Sequence, residues 1–219
     1  MTLSLDIQDG KALLTMPEEG KFNPDSLAAF NAGLDKVIAN DSAKLLIITG
    51  RDKHFAQGLD LDFLYKAEPD AAVSFVNDCM QMIGRLLQFP LPVVSAINGH
   101  AFGLGCMIAL ASDYKVMRSD RGFLCLPEID LGMTLIPSMN ALVTAKLSGS
   151  LLRDMLLAGK RIGGDEAAER GLIDTSCTLD LLLARSGEIA QPMLGKDRKT
   201  LAGLKADMHR PILEVIAAA

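Results

Sequence analysis

The sequence predicts an α/β fold. Three observations lead to it. Two short runs, Leu45-Leu46-Ile47-Ile48-Thr49 and Val93-Val94-Ser95-Ala96-Ile97, are almost continuously apolar, as in strands buried on both faces. Between and around them, apolar residues recur at helical spacing, first Leu27, Phe30, Leu34 and Val37, then Val73, Val76, Met80, Ile83 and Leu87. Glycine turns join strand to helix at Gly58 and again at Gly99, Gly103 and Gly105. With 219 residues and 49% hydrophobic content, the chain can bury a sizeable core, and one compact domain with a small helical appendage is expected.

Taken in order, Leu3-Ser4-Leu5-Asp6-Ile7 alternates as a half-buried strand, Asp9-Gly10 marks a hairpin turn, and residues 12–16 form the return strand. A loop over 20–24 leads to a helix capped by Asp25 or Ser26. After the strand at 45–49 come a polar turn over 50–53 and a second strand-end turn from Phe55 to Leu61. Residues 67–87 read as one long helix, ended by Pro90 and Pro92. The strand 93–97 enters the glycine-rich turn, which opens into the small-residue helix 107–111. Strands follow at 113–117 and 123–126, with a turn over 118–122 between them and a loop over 127–132 after them. From Ser138 the pattern is mostly helical, over 138–147, 150–158, 165–170, 179–191 and 198–208, with a short strand at 171–174.

Composition narrows the function. A net charge of -5 and the absence of Trp disfavour a general nucleic-acid binder. No basic-then-apolar leader opens the sequence, and no run of about 18 apolar residues occurs. A cytoplasmic protein without a membrane partner is therefore expected. Cys79, Cys106, Cys125 and Cys177 lie in apolar segments without CxxC spacing, so reduced core thiols are expected and no metal site.

The chemistry concentrates in residues 93–106. The first amides of a helix lack intrahelical acceptors and stand at the positive end of its dipole. Behind a glycine turn they make a donor site for an oxygen that gains negative charge during a reaction. Gly58-Leu59 is a second such turn, and two facing turns aim two amides at one oxygen. Tight glycine turns after strands also serve structure alone, and spacing does not decide between the two. There is no G-x-S-x-G, HExxH or P-loop.

Four stretches then occur in a telling order: Phe55-Ala56-Gln57-Gly58-Leu59-Asp60, residues 98–106, Pro127-Glu128-Ile129-Asp130-Leu131-Gly132, and Ala158-Gly159-Lys160 through Gly171-Leu172-Ile173-Asp174. In sequence and order they resemble the signatures of the crotonase (enoyl-CoA hydratase/isomerase) superfamily, over roughly residues 3–175. The resemblance implies a spiral of ββα units over 1–175, a C-terminal helical trimerisation region over 176–219, an acyl-CoA substrate, and a homotrimer or dimer of trimers. It implies no cofactor beyond the CoA of the substrate. It assigns the amides of Leu59 and Leu104 to the thioester oxygen, although Leu104 stands where the family's middle glycine is usual. It turns the main chain near Ala56 and Gln57 toward the adenine, and places Gly58, Asp60, Gly103, Gly105 and Met107 along the acyl-CoA. It brings Lys53, and secondarily Lys21, to the CoA phosphates, where a solvated surface lysine is an equal alternative. Of the six apolar residues in the C-terminal region that trimer contact would use (Leu181, Leu182, Leu183, Ile189, Leu201 and Leu204), each is equally suited to packing within its own subunit.

The acid/base residue separates reactions within the family. Its hydratases use two carboxylates. One of those positions is Met107 here, which cannot titrate; the other is Glu128. Moving a double bond needs one base that removes a proton and returns it elsewhere. Residues 113–133 and Asn23-Pro24 are most like the Δ3,Δ2-enoyl-CoA isomerases, which keep the second Glu and lack the first. The expected reaction is transfer of a double bond from C3 to C2 of a 3-enoyl-CoA, with the Glu128 pKa raised by an apolar pocket that includes Met107. Alternatives are a weak hydratase, a thioesterase, a decarboxylase, or a non-catalytic acyl-CoA-binding or assembly protein. Asp60 is expected to cap the following helix, Asp130 to serve a turn or ion pair, and His100 to pack.

Overall fold

The chain opens with a hairpin that its turn sequence dictates. In the computed structural model, which describes residues 3–17 and 19–219, β1 (Ser4–Gln8) and β2 (Lys11–Thr15) pair antiparallel around Asp9 and Gly10. Both turn residues have positive φ, 50° and 77°, the conformation a two-residue hairpin turn favours. After β3 (Lys21–Phe22), α1 (Pro24–Ala39) is capped by Asn23 and not by Asp25 or Ser26. Asn23 accepts from the Ser26 amide at 3.0 Å, and the Asn23 amide donates to Ser26 Oγ at 2.8 Å. Pro24 suits the first helical position because no acceptor awaits an amide there.

Next come β4 (Leu45–Thr49), β5 (His54–Ala56) and β6 (Gly58–Leu59). The single helix expected at 67–87 is two helices, α2 (Leu61–Lys66) and α3 (Pro69–Leu87). Pro69 forces the residue before it out of helical space, and Glu68 is extended at ψ 144°. Then follow β7 (Val93–Ile97), β8 (His100–Phe102) and α4 (Leu104–Ala111), the last beginning three residues earlier than the expected Met107. After β9 (Tyr114–Arg118) and β10 (Leu124–Cys125), residues 127–129 form a 3-10 turn in place of an open loop.

The remaining elements are α5 (Pro137–Lys146), α6 (Gly149–Leu152, widening into a π-type turn to Leu157), α7 (Gly164–Glu169), β11 (Thr175–Cys177), α8 (Leu182–Ile189), α9 (Arg198–Met208) and α10 (Arg210–Ala217). The strand expected at 171–174 falls at 175–177. The Leu172 and Ile173 amides are committed to Ala167 O and close α7, so they cannot join a sheet. Helix α10 was not expected; it buries Ile212 and Ile216 against α3 and α5.

The large sheet has the order β1-β2-β4-β7-β9-β11, parallel from β2 onward. Two small parallel sheets, β5-β8-β10 and β3-β6, stand beside it. The chain winds through them repeatedly: β2-β3-α1, then β4-β5-β6 with α2 and α3, then β7-β8-α4, then β9-β10-α5. In each round the first strand joins the large sheet and the second a small one. This is the expected spiral of ββα units. Strands β4 and β7 are buried on both faces. Leu46, Ile48, Val93 and Ile97 face the main core, whereas Leu45, Ile47, Val94 and Ala96 face a smaller cluster closed by Leu182 of α8.

The boundary expected at 175/176 falls within β11; beyond it, α8 packs on β4, β7 and β9 of the large sheet, and α10 on α3 and α5. Helix α9 is pinned by Lys205, 3% exposed, which pairs with Asp113 and donates to Phe89 O at 3.1 Å and Leu91 O at 3.0 Å. Among the described residues, no helix is long and apolar enough to cross a membrane.

Candidate active site

The turns after β4 and β7 are held together by one side chain. Asn98, 6% exposed, accepts from the Gly50 amide at 2.8 Å and donates to Asp52 O and His54 O, each at 3.3 Å. Three bonds from one buried amide therefore set where β5, β6 and the glycine turn meet. Asn98→Ala leaves these groups unpaired and is expected to cost about 1–3 kcal/mol of stability. An unchanged urea midpoint would show that other contacts hold the two turns.

Two glycines allow the turns to approach. Gly58 has φ 95°, and a Cβ there would lie 2.7 Å from Phe102 O and 3.2 Å from Leu104 N. Gly103 caps α4 at φ 51°, ψ -118°, a conformation closed to side-chain-bearing residues. Its amide bonds Cys125 O at 3.0 Å, and its carbonyl accepts the first bond of α4, from Met107 N at 3.0 Å. Leu104 is thus the first helical residue, and its amide has no intrahelical acceptor. Leu59 ends β6, whose Asp60 amide is taken by Phe22 O at 2.7 Å. Neighbouring strand amides point to opposite edges, so the Leu59 amide is aimed away from β3.

Glu128 joins this pair of turns from the 3-10 turn after β10. The space beside Gly103 is where its Oε1 lies, 3.6 Å from the position of an added Cβ. Oε2 is buried and has no hydrogen-bond partner among the described residues. Burial raises the Glu128 pKa above the usual carboxylate value, against a lowering by a backbone hydrogen bond. A cavity of about 160 Å³ opens here. Gln57, Gly58, Leu59, Gly103, Leu104 and Glu128 all line it, with apolar side chains from α2, α3 and the 131–139 segment around them. Sequence reasoning expected an apolar pocket around Glu128 but not these residues in its wall, because they come from elements whose only signal is ordinary helical hydrophobicity.

Other expected site residues lie elsewhere. Met107 is wholly buried in the main core and does not line the cavity, so it contributes no wall to the Glu128 pocket. Ala56 is also wholly buried; its carbonyl lies 2.3 Å from where a Gly105 Cβ would be, so both residues serve the close packing of β5 on α4, and neither lines the cavity. Asp60 takes the N-cap position of α2, yet its side chain makes no capping bond, and Oδ1 is buried without a partner among the described residues. With Lys21 it lines a separate pocket that also holds Glu19 and Asp25, a poor setting for a phosphate. Lys53 is exposed on a shallow pocket of mixed charge with Arg121, Gln57, Glu19 and Asp52; Arg118 also lines it but is 8% exposed and paired with Asp120 at 2.7 Å. Gln57 therefore touches both this polar pocket and the apolar cavity. Asp130 is exposed and packs on Gly159. His100 packs among His54, Phe102 and Phe123, and burial with nearby Arg121 and Arg161 lowers its pKa. The four cysteines are free; burial pushes the Cys79 thiol up to about 12.

Comparison with known proteins decides the family. A model of the enoyl-CoA hydratase/isomerase family matches residues 13–218. The chain belongs to that family. Relatives within it include enoyl-CoA delta isomerase 3 of Arabidopsis thaliana, 36% identical over 74% of this chain and 71% of the relative. The peroxisomal enoyl-CoA delta isomerase 1 of the same plant is 27% identical over 96% of this chain and 90% of the relative. The 2,3-dehydroadipyl-CoA hydratase of Escherichia coli is 32% identical over 73% of this chain and 62% of the relative. Among solved structures, a probable enoyl-CoA hydratase of Mycobacterium tuberculosis superposes with a TM-score of 0.91 at 25% identity, covering 100% of this chain and 92% of that one. The family thus includes both hydratases and isomerases similar to this chain, and its fold is the ββα spiral described above.

Proposed function

We propose that this protein is an enoyl-CoA isomerase, moving a double bond from C3 to C2 of a 3-enoyl-CoA. One observation carries the reading: among the described residues a single carboxylate, Glu128, lines an otherwise nearly apolar cavity beside the two glycine turns. The second titrating position that hydration calls for is Met107, in the core. The similarity to delta isomerases supports the same reading.

In the proposed reaction the Leu59 and Leu104 amides donate to the thioester oxygen. Glu128 removes a proton from C2, and the electron pair spreads into a dienolate whose negative oxygen the two amides hold; one such donor is typically worth about 2.7–4 kcal/mol in rate. The protonated Glu128 then returns the proton to C4, so that the C3–C4 double bond is lost and C2–C3 becomes double. Lys53 and Arg121, both exposed, are proposed to meet the CoA phosphates, with Gln57 at the passage between their pocket and the cavity.

A homotrimer or dimer of trimers is part of the proposal. Support comes from Leu181, Leu183 and Leu204, which are exposed; Leu182 is core, and Ile189 and Leu201 are half-buried in their own subunit. A cytoplasmic location is also proposed, supported by four free cysteines that suit a reducing compartment.

The test is an ultraviolet assay with a trans-3-enoyl-CoA beside a trans-2-enoyl-CoA. Growth of conjugated-thioester absorbance from the first substrate is expected, with little loss from the second. Rapid hydration of the 2-enoyl thioester, with no conversion of the 3-enoyl, would replace the isomerase by a hydratase. The base must be ionised to act, so kcat/KM is expected to fall as pH drops through the raised Glu128 pKa, above the ordinary value of 4.5. A rate flat down to that value would remove Glu128 from the role.

A further inference from the structure

The lining of the cavity ranges from exposed to buried side chains. Leu131 and Met133 are 44% and 39% exposed, whereas Met139, in the first turn of α5, is 6% exposed. Val76 of α3 and Leu64 of α2 line the same cavity and are half-buried. One turn beyond Met139, Leu142 and Val143 of the same helix are wholly buried in the main core. The cavity volume is about 160 Å³. A dry apolar cavity of about 150 Å³ holds a six-carbon ring.

We infer that this cavity selects short acyl chains, of about six carbons, and that Met139 and Val76 set the limit. The inference rests on the acyl-thioester reading above. The wall at Met139 is a buried side chain on a helix that packs against α4 and α10, so lengthening the cavity there requires changing the residue. Chains longer than the limit must leave their terminal methylenes in water or displace packed core.

The experiment titrates the full-length protein with butanoyl-, hexanoyl-, octanoyl- and decanoyl-CoA by calorimetry, and assays it with 3-hexenoyl- and 3-decenoyl-CoA. Affinity is expected to rise about fourfold per methylene, the transfer of one buried CH₂, up to hexanoyl and then to stop or fall. Met139→Ala is expected to move the break to octanoyl or beyond. Val76→Phe, at a half-buried site that tolerates change more readily, is expected to move it down to butanoyl. Affinity that climbs without a break through decanoyl overturns the inference, as does a break that stays in place in variants with the wild-type thermal midpoint. The two readings fail separately. A break in binding that moves with the variants, together with no conversion of 3-hexenoyl-CoA, sinks the isomerase and keeps the chain-length limit. Equal turnover of both 3-enoyl substrates does the reverse.

Discussion

Glu128→Gln is expected to lower kcat for double-bond transfer by about 10²–10⁴-fold, the usual contribution of a positioned acid/base group. The substitution keeps the shape of the side chain, so the apolar cavity and the two amide donors remain, and KM should change little. It also removes a buried ionisable group whose Oε2 has no hydrogen-bond partner among the described residues. The variant is therefore expected to be at least as stable as wild type at neutral pH, because burial disfavours the ionised carboxylate there. Loss of rate without loss of stability separates a catalytic role from a structural one. A fall in kcat of less than tenfold at the wild-type pH plateau would leave the proton transfer to another group.

Lys205→Ala should bring the largest loss of stability, about 3–5 kcal/mol, the cost of removing one partner from a buried ion pair. The Asp113 side chain is only 13% exposed and would keep its bond from the Val93 amide at 2.7 Å, but without its counter-charge. The carbonyls of Phe89 and Leu91 would lose their donor as well. These groups frame the entry to β7, the strand that delivers Asn98 and the glycine turn. Urea denaturation measures the cost; a change below about 1 kcal/mol would mean that solvent replaces the ammonium at once. The folded fraction should keep its turnover rate, since Lys205 is far along the chain from the cavity lining and touches none of it.

The elements that were legible share one property: their signal is local. The Asp9-Gly10 hairpin, the doubly buried strands β4 and β7, and the amphipathic α3 follow from a few neighbouring residues. Errors arose where a distant or competing partner decides. Pro69 separates α2 from α3 through the restriction it places on Glu68. Asn23 outcompetes Asp25 and Ser26 as the cap because Pro24 occupies the next position and Ser26 completes a reciprocal bond. Residues 171–174 look like a strand, but two of their amides turn back to Ala167.

The site shows the same division. From residue identity alone came two glycine turns able to present amides, one titratable Glu in a recognisable segment, and a non-titrating Met107. These are properties of side-chain chemistry and glycine's backbone freedom, and they survive in any folded context. Only the tertiary structure decided that Gly58 lies against Leu104, that Glu128 reaches the space beside Gly103, and that Met107 and Ala56 belong to the core. It alone placed the buried Met139 in the cavity wall. Convergence and volume depend on contacts between elements dozens of residues apart, and on close packing that no short stretch of sequence contains.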